Sequence, residues 1–194
     1  FHVIAFAFAV ALLPSAMAQP TAFTDAKLAW TLPWDADWVT AVSFIGDDKV
    51  AAGNKLGDIL VWELPKPGEK APMPSRWLAG HTNEITRLIT TPDQKTLISA
   101  SNDRTVRYWD MSAAPSGSGT VTLNARAIQN AVDKKKKGPE PVEAKVGQQK
   151  HAKELTAHKD WVLGLTQTAD GKTLLTGDDK GVVIVWDLPA AKVI

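Results

Sequence analysis

The sequence contains no cysteine, and this absence excludes several kinds of chemistry at once. A chain without thiols forms no disulfide, no thiolate metal site and no cysteine nucleophile. The chain also has no large excess of charge of either sign, because its formal net charge is +1 over 194 residues. That balance gives no general electrostatic reason to expect nucleic acid or a membrane surface as a partner.

Long apolar runs are scarce as well, and the only one is Phe1–Leu13. Pro14 and small residues at alternate positions up to Ala18 follow it, which is typical of a secretory signal peptide over residues 1–18 whose positively charged start is missing. A bilayer span needs about 20 apolar residues, so we expect no stable membrane span after cleavage. A buried strand or helix is the alternative interpretation. The signal predicts an exported protein, periplasmic or extracellular.

The most informative feature that the sequence does contain is a repeat. Ala79–Asp110 and Thr156–Asp187 share one order of features: a histidine, an alternating run, a polar turn, an apolar run, a second turn and a run that ends in Trp-Asp. Trp34–Glu63 is a weaker third copy. A repeat of this length indicates one supersecondary unit that stacks on its neighbours.

The runs within each unit are short, rich in β-branched residues and bounded by turn residues, which favours β-strands. The predicted strands are Val39–Phe44, Lys49–Ala52, Ile59–Trp62, Ser75–Leu78, Ile85–Thr90, Thr96–Ser101, Thr105–Trp109, Trp161–Thr166, Thr173–Thr176 and Val182–Trp186. Four such strands make a sheet that is too small to be stable alone, and radial stacking of sheets buries both faces.

The two clear units resemble the repeats of the WD-repeat β-propeller family. The resemblance rests on Gly80-His81 with Trp109-Asp110 and on Ala157-His158 with Trp186-Asp187, which match the paired signature of that family. It implies an all-β fold: an open arc of about three four-stranded blades after an N-terminal signal segment. The corresponding divisions are a lead-in at 19–33, a degenerate repeat at 34–78, repeats at 79–111 and at 151–194 (the latter truncated), and an insertion at 112–150.

The resemblance also implies a buried hydrogen-bonded set in each repeat, made by a His, a Ser or Thr, an Asp and a Trp. A buried indole N–H needs an acceptor, and a buried carboxylate needs donors. The predicted members are His81, Ser99, Asp103, Trp109, His158, Thr176, Asp179 and Trp186.

Two repeats depart from this pattern. In the last repeat Lys180 holds the Asp position, and Asp179 just before it is the nearest carboxylate. The degenerate repeat keeps Trp62 but has other residues at the remaining positions, namely Asp35, Ala52 and Leu56. We therefore expect packing, more than polar links, to hold the degenerate repeat together.

Histidine, serine and aspartate in one set suggest nucleophilic catalysis as an alternative. The set recurs in successive repeats, however, whereas a catalytic site occurs once. His81 and His158 have no Asp or Glu at zinc-like spacing, and no phosphate-binding loop or paired-carboxylate motif is present. We therefore expect structural histidines, no catalytic residue, no metal, no cofactor and no enzymatic activity.

The insertion is too long for a tight turn, and we place it between the third strand and the last strand of one blade. Its composition predicts a solvated, flexible segment in which Ala125–Val132 forms a short helix. The alternative is that Lys134–Lys137 docks an acidic partner or an anionic surface, although Glu140 and Glu143 dilute that charge.

The residue just before each first strand suggests a binding surface, because related propellers have this position near the rim of one face. This position holds Trp38, Glu84 and Trp161. The companion loops after the second strands meet it there, and they add Lys55, Asn102 and Asp179 to the candidate rim residues. Exposed tryptophan is a common anchor of protein interfaces. Alternatively, each indole only covers the edge of the neighbouring blade.

The leading functional hypothesis is an exported, non-catalytic scaffold that binds other proteins through this rim. An extracytoplasmic propeller enzyme or ligand-binding domain is one alternative, and the docking part of a larger exported redox protein is another. We expect no nucleic-acid partner. Because an open arc leaves apolar sheet faces uncovered, we also expect the chain to self-associate.

Overall fold

The computed structural model describes residues 30–66, 68–70, 72–190 and 192–194. The predicted signal segment at 1–18 and most of the lead-in at 19–33 lie outside these ranges. Within the ranges the chain forms three β-sheets and one helix, which confirms the all-β prediction. None of the described helical segments is both long and apolar enough to cross a membrane.

The ten strands predicted from the sequence begin and end within two residues of the predicted bounds. The first two repeats contain β1 (Val39–Ile45), β2 (Lys49–Asn54), β3 (Ile59–Glu63), β4 (Arg76–Leu78), β5 (Ile85–Thr90), β6 (Thr96–Ser101) and β7 (Val106–Asp110). The insertion and the last repeat contain β8 (Gly117–Thr122), α1 (Ala125–Asp133), β9 (Glu143–Gln149), β10 (Lys153–Leu155), β11 (Val162–Gln167), β12 (Thr173–Asp178), β13 (Val183–Asp187) and β14 (Lys192–Val193). Four of these strands, β8, β9, β10 and β14, had no predicted bounds.

The first three long strands of each repeat form an antiparallel meander, and a short fourth strand follows the third in each sheet. The second sheet has the order β10-β7-β6-β5 and the third has the order β11-β12-β13-β14. Because β10 pairs with β7, the insertion lies between the third and the last strand of the second sheet, as the sequence predicts.

The first sheet and the insertion differ from the prediction. The sheet has six strands in the order β1-β2-β3-β4-β9-β8, because β9 pairs in parallel with β4 and β8 pairs with β9. The insertion therefore holds paired strands and a helix instead of being a flexible loop throughout. The physical reason is burial: Leu123, Ala144 and Val146 pack against Trp62 of β3.

Alternation along the strands divides the core between the two faces of each sheet. Ile59 and Val61 of the first sheet pack with Trp109 of the second. Trp186 of the third sheet packs with Ile98 and other residues of the second. Each repeat tryptophan thus faces the preceding sheet. For Trp62, the insertion and Trp34 occupy that place.

Hydroxyl groups connect the innermost strands of successive sheets. Thr40 Oγ1 of β1 donates to the carbonyl oxygen of Ile85 in β5 at 2.6 Å. Thr86 Oγ1 of β5 donates in the same way to the carbonyl oxygen of Val162 in β11. The starts of β1, β5 and β11 therefore lie side by side at one end of the three sheets.

Candidate functional site

The structure brings together all four predicted polar residues of the second repeat. His81 Nδ1 lies 2.7 Å from Asp103 Oδ2, and His81 Nε2 lies 2.7 Å from Ser99 Oγ. The indole Nε1 of Trp109 donates to the same Ser99 oxygen at 2.9 Å. Ser99 and Trp109 have no exposed surface, so the set lies inside the sheet stack.

A neutral imidazole gives every bond in this set one donor and one acceptor. An indole can only donate, so Ser99 Oγ accepts from Trp109. The Asp103 carboxylate only accepts, so His81 Nδ1 carries the ring proton and donates to it. In the neutral ring Nε2 is then unprotonated and accepts the proton of Ser99 Oγ.

The electrostatics agree with that assignment. Burial lowers the pKa of His81, and it outweighs the opposing effect of the Asp103 carboxylate. Burial by itself raises the pKa of Asp103, but the hydrogen bonds from His81 and Thr105 together with the backbone N–H of Thr82 bring it well below its ordinary value. The histidine is thus neutral and the aspartate ionised near neutral pH.

The third repeat forms the same set with a different carboxylate from the predicted one. His158 Nε2 lies 2.6 Å from Thr176 Oγ1, which accepts from Trp186 Nε1 at 2.8 Å. The carboxylate is that of Asp178, whose Oδ2 lies 3.0 Å from His158 Nδ1. The prediction of Asp179 for this role is wrong.

Strand register shows where the two carboxylates differ. Val162 lies opposite Asp178 as Ile85 lies opposite Ser101, so Asp178 ends β12 at the position of Ser101, whereas Asp103 lies two residues further along in the turn. Asp179 is exposed and lies in the following turn. The hydrogen bond from His158 holds the pKa of Asp178 below its ordinary value.

The first repeat lacks the polar set, as its sequence predicts. Trp62 Nε1 is buried with no hydrogen-bond partner among the described residues, because Ala52 has no hydroxyl. Asp35 instead pairs with Arg126 of α1 at 2.6 Å. Sequence reasoning missed Asn54, whose Oδ1 accepts from the backbone N–H groups of Leu56 and Asp58 at 3.0 and 2.9 Å.

Asn54 and Asp178 accept hydrogen bonds from equivalent backbone N–H groups of their turns. Asp178 Oδ1 accepts from the backbone N–H groups of Lys180 and Val182 at 3.1 and 3.0 Å, the same pattern of positions as for Asn54. The signal that could have revealed Asn54 is its alignment with Asp178 at the end of the second strand.

These buried sets are suited to structure more than to chemistry on a substrate. The Ser99 and Thr176 hydroxyls are almost completely buried and each is already shared between an indole and an imidazole. In the part of the chain that the structure describes, no three His, Asp or Glu side chains group closely enough to hold a metal ion.

The candidate rim residues lie at the end of the sheets where β1, β5 and β11 begin. The structure brings them together as three equivalent pairs through backbone bonds. The backbone N–H of Lys55 donates to the Trp38 carbonyl at 3.0 Å, and that of Asn102 donates to the Glu84 carbonyl at 2.9 Å. In the third repeat Asp179 N–H donates to the Trp161 carbonyl at 2.9 Å.

The two rim tryptophans project into solvent. Trp38 is 63% exposed and Trp161 is 50% exposed, so at least half of each residue's surface is open to a partner. The carboxylates of Asp37 and Asp160 accept from the backbone N–H groups of these tryptophans at 2.6 and 2.8 Å. Lys55 Nζ lies 4.9 Å from the Trp38 ring centroid, within the range of a cation–π contact.

Comparison with known protein families agrees with the repeat structure. The model of the family described as "WD domain, G-beta repeat" matches residues 73–110 and 149–187. These two matches coincide with the two units that contain the complete hydrogen-bonded sets.

Several known proteins are similar to this chain over part of their length. Small ribosomal subunit protein RACK1 of Caenorhabditis elegans is 32% identical over 92 residues, which are 44% of this chain and 28% of that protein. U3 small nucleolar RNA-interacting protein 2 of Mus musculus is 26% identical over 141 residues, 73% of this chain and 24% of that protein. The chain thus spans about a quarter of the length of these relatives.

A solved structure shares the fold. The C-terminal WD40 domain of Sif2 matches with a TM-score of 0.55 and 19% identity, over 82% of this chain and 34% of that one.

Proposed function

We propose that this chain, which is built from WD40 repeats and belongs to the WD-repeat β-propeller family, is a non-catalytic scaffold that binds other proteins through its rim. The observation that carries the proposal is the pair of exposed tryptophans, Trp38 and Trp161, at equivalent positions of the first and third repeats. Tryptophan on rigid backbone is a frequent hot spot, because it buries a large area on binding and loses little conformational entropy.

The charges around these indoles favour a partner surface of mixed polarity. Lys55 is bonded through its backbone to Trp38, and Asp179 is bonded in the same way to Trp161. In the second repeat Glu84 holds the place of these tryptophans. A partner would gain apolar contact with the two indoles and orientation from the surrounding charges.

The rim can be tested with a double variant, Trp38→Ala plus Trp161→Ala. Proteins captured from the native host by the parent chain should be lost or reduced at least tenfold with the variant, as expected for hot-spot residues. Val132→Ala plus Val142→Ala is the matched control, because both valines are exposed but lie in the insertion. Equal recovery by the rim variant and the control would contradict the proposed surface.

We also propose that the protein is exported. Support comes from the apolar run Phe1–Leu13 and the small residues that end at Ala18. N-terminal sequencing of the protein made in its native host should find a mature chain that starts at Gln19. A chain that retains the apolar run would contradict export by this route.

Finally, we propose that the isolated chain self-associates. Support comes from the apolar side chains that remain exposed on its first and third sheets, among them Val42, Phe44 and Val183.

A further inference from the structure

A cleft of about 260 Å³ lies on the first sheet, between β3 and β4 on one side and β8 with the start of α1 on the other. Trp34 and Trp77 contribute indoles to its lining, and Leu60 and Val121 contribute aliphatic side chains. The carboxylate of Asp58 also lines the cleft, which is open to solvent beside Leu56.

Both indoles of the cleft are held in position by contacts inside the protein. Trp34 packs on Trp62 with ring centroids 5.8 Å apart. Trp77 Nε1 donates to Asp58 Oδ1 at 2.9 Å, which orients the ring and the carboxylate together. Strand β8 approaches the Trp77 ring at Gly119, where an added Cβ would lie 3.2 Å from ring atom Cε3. The cleft is therefore largely preformed.

The charge in the cleft is not balanced. The described residues that line it include Asp58 but no lysine or arginine. The three basic side chains next in sequence to the lining have other contacts. Lys55 lies over Trp38, and Arg126 pairs with Asp35. Arg76 donates to the Ala113 carbonyl and to Gln149 Oε1. Among the described residues no basic group forms an ion pair with Asp58.

We propose that this cleft binds the side chain of a lysine from a partner protein. An ammonium group is attracted by the faces of indole rings and by a carboxylate, and the lining of the cleft contains two tryptophans and one aspartate. The aliphatic stem of the lysine would pack against Leu60 and Val121, as long basic side chains do on apolar surface. The site uses none of the six rim residues, so it stands independently of the rim proposal.

The test uses the whole chain and two small probes that differ in the terminal ammonium group. N-acetyl-lysine methylamide carries the ammonium, and N-acetyl-norleucine methylamide has a neutral side chain of similar shape. Binding is followed through the indole N–H resonance of Trp77, assigned by its loss in Trp77→Phe. We expect the lysine probe to shift this resonance with an affinity at least about tenfold higher than that of the norleucine probe.

The decisive variant is Asp58→Asn, which removes the charge but still accepts the hydrogen bond from Trp77. It should weaken binding of the lysine probe about tenfold and leave the norleucine probe unchanged. Asp37→Asn is the matched control, because it removes one nearby carboxylate outside the cleft, and Asn83 already holds the equivalent place in the second repeat. The control should bind as the parent chain does.

Three outcomes would overturn the proposal: no shift at Trp77 with the lysine probe, equal affinity for both probes, or equal affinity of Asp58→Asn and Asp37→Asn. The rim double variant should bind the lysine probe normally. A negative result in the rim experiment therefore does not affect the conclusion about the cleft, and a negative result at the cleft does not affect the conclusion about the rim.

Discussion

Ser99 occupies the middle of the hydrogen-bond chain in the second repeat. It accepts from Trp109 and donates to His81, so one small hydroxyl satisfies two larger buried groups. The residue types and their spacing allow this set to be predicted from the sequence. The use of Asp178 in the third repeat could not be predicted, because it depends on which strand residue points toward His158.

The first prediction concerns Ser99→Ala. The substitution leaves two buried polar atoms without a partner, each worth about 1–3 kcal/mol, so the free energy of unfolding should fall by at least about 2 kcal/mol. Urea unfolding measures the change. Ser118→Ala, at an exposed position of β8, is the control and should change stability by less than about 0.5 kcal/mol. Equal stability of the two variants would show that the chain of hydrogen bonds contributes little.

A second prediction follows from the neutral state of His81. Its pKa is lower in the folded protein than in the unfolded chain, where it is about 6.5. Below that pH the unfolded state binds more protons, so the folded state loses stability as pH falls. The lowered pKa values of Asp103 and Asp178 act in the same direction, with loss that begins as pH falls through their unfolded value of about 3.8.

The melting temperature should therefore decrease from pH 7.5 to pH 5, and further below pH 4. His81→Gln serves as the comparison, because it removes the contribution of this imidazole. Its melting temperature will be lower at pH 7.5 but should change less between pH 7.5 and pH 5. An identical pH dependence in both proteins would show that His81 is not the neutral, buried group described above.

At the scale of elements, the same turn joins the first two strands of the second and third sheets. Thr91 Oγ1 donates to Asp93 Oδ1 at 2.6 Å, and Thr168 Oγ1 donates to Asp170 Oδ1 at 2.6 Å. The residue after each aspartate has a positive φ: 60° at Gln94 and 69° at Gly171. Only glycine adopts this conformation without a steric cost.

The third prediction uses this difference. Gln94→Gly should raise the free energy of unfolding by about 0.5–1 kcal/mol, because relief of the left-handed conformation outweighs the added entropy of the unfolded chain. Gly171→Gln is the reciprocal variant and should lower it by a similar amount. Thermal unfolding of both proteins is the measurement. A change of the same sign in both variants would contradict the equivalence of the two turns.

The insertion shows why some elements could not be predicted. Ala144 and Val146 alternate with Glu143 and Lys145, a weak strand signal within a mostly polar segment. The partner of this strand is β4, which is far away in sequence and pairs with it in parallel. The local composition indicates a solvated loop, because composition carries no information about pairing with a strand that is distant in sequence. For the same reason the cleft between β8 and the strands β3 and β4 was not predicted.

At the scale of the whole molecule, two apolar sheet faces remain uncovered in the described chain. Val42 and Phe44 of β1 are each 66% exposed. On the third sheet Leu175 is 37% and Val183 is 64% exposed. The repeat pattern predicted the stacked sheets, because the regular spacing of the tryptophans indicates that each repeat forms one sheet.

The fourth prediction is that sedimentation velocity will show concentration-dependent association of the chain. Leu175→Lys plus Val183→Lys places charge on the third sheet and should return the protein to a monomer, because an apolar contact does not tolerate unpaired charge. Val132→Lys is the control, since this residue is 60% exposed on α1. A monomer at every concentration in the parent chain would contradict self-association.

The pairing of β9 with β4 also has a consequence for the order in which the protein forms. Repeat proteins in which each unit contacts only its neighbours can fold one unit at a time as the ribosome releases them. Here β4 can pair with β9 (Glu143–Gln149) only after β9 has left the ribosome. The ribosome releases β9 after β7 of the next repeat. The two repeats should therefore complete their folding as one cooperative unit during translation.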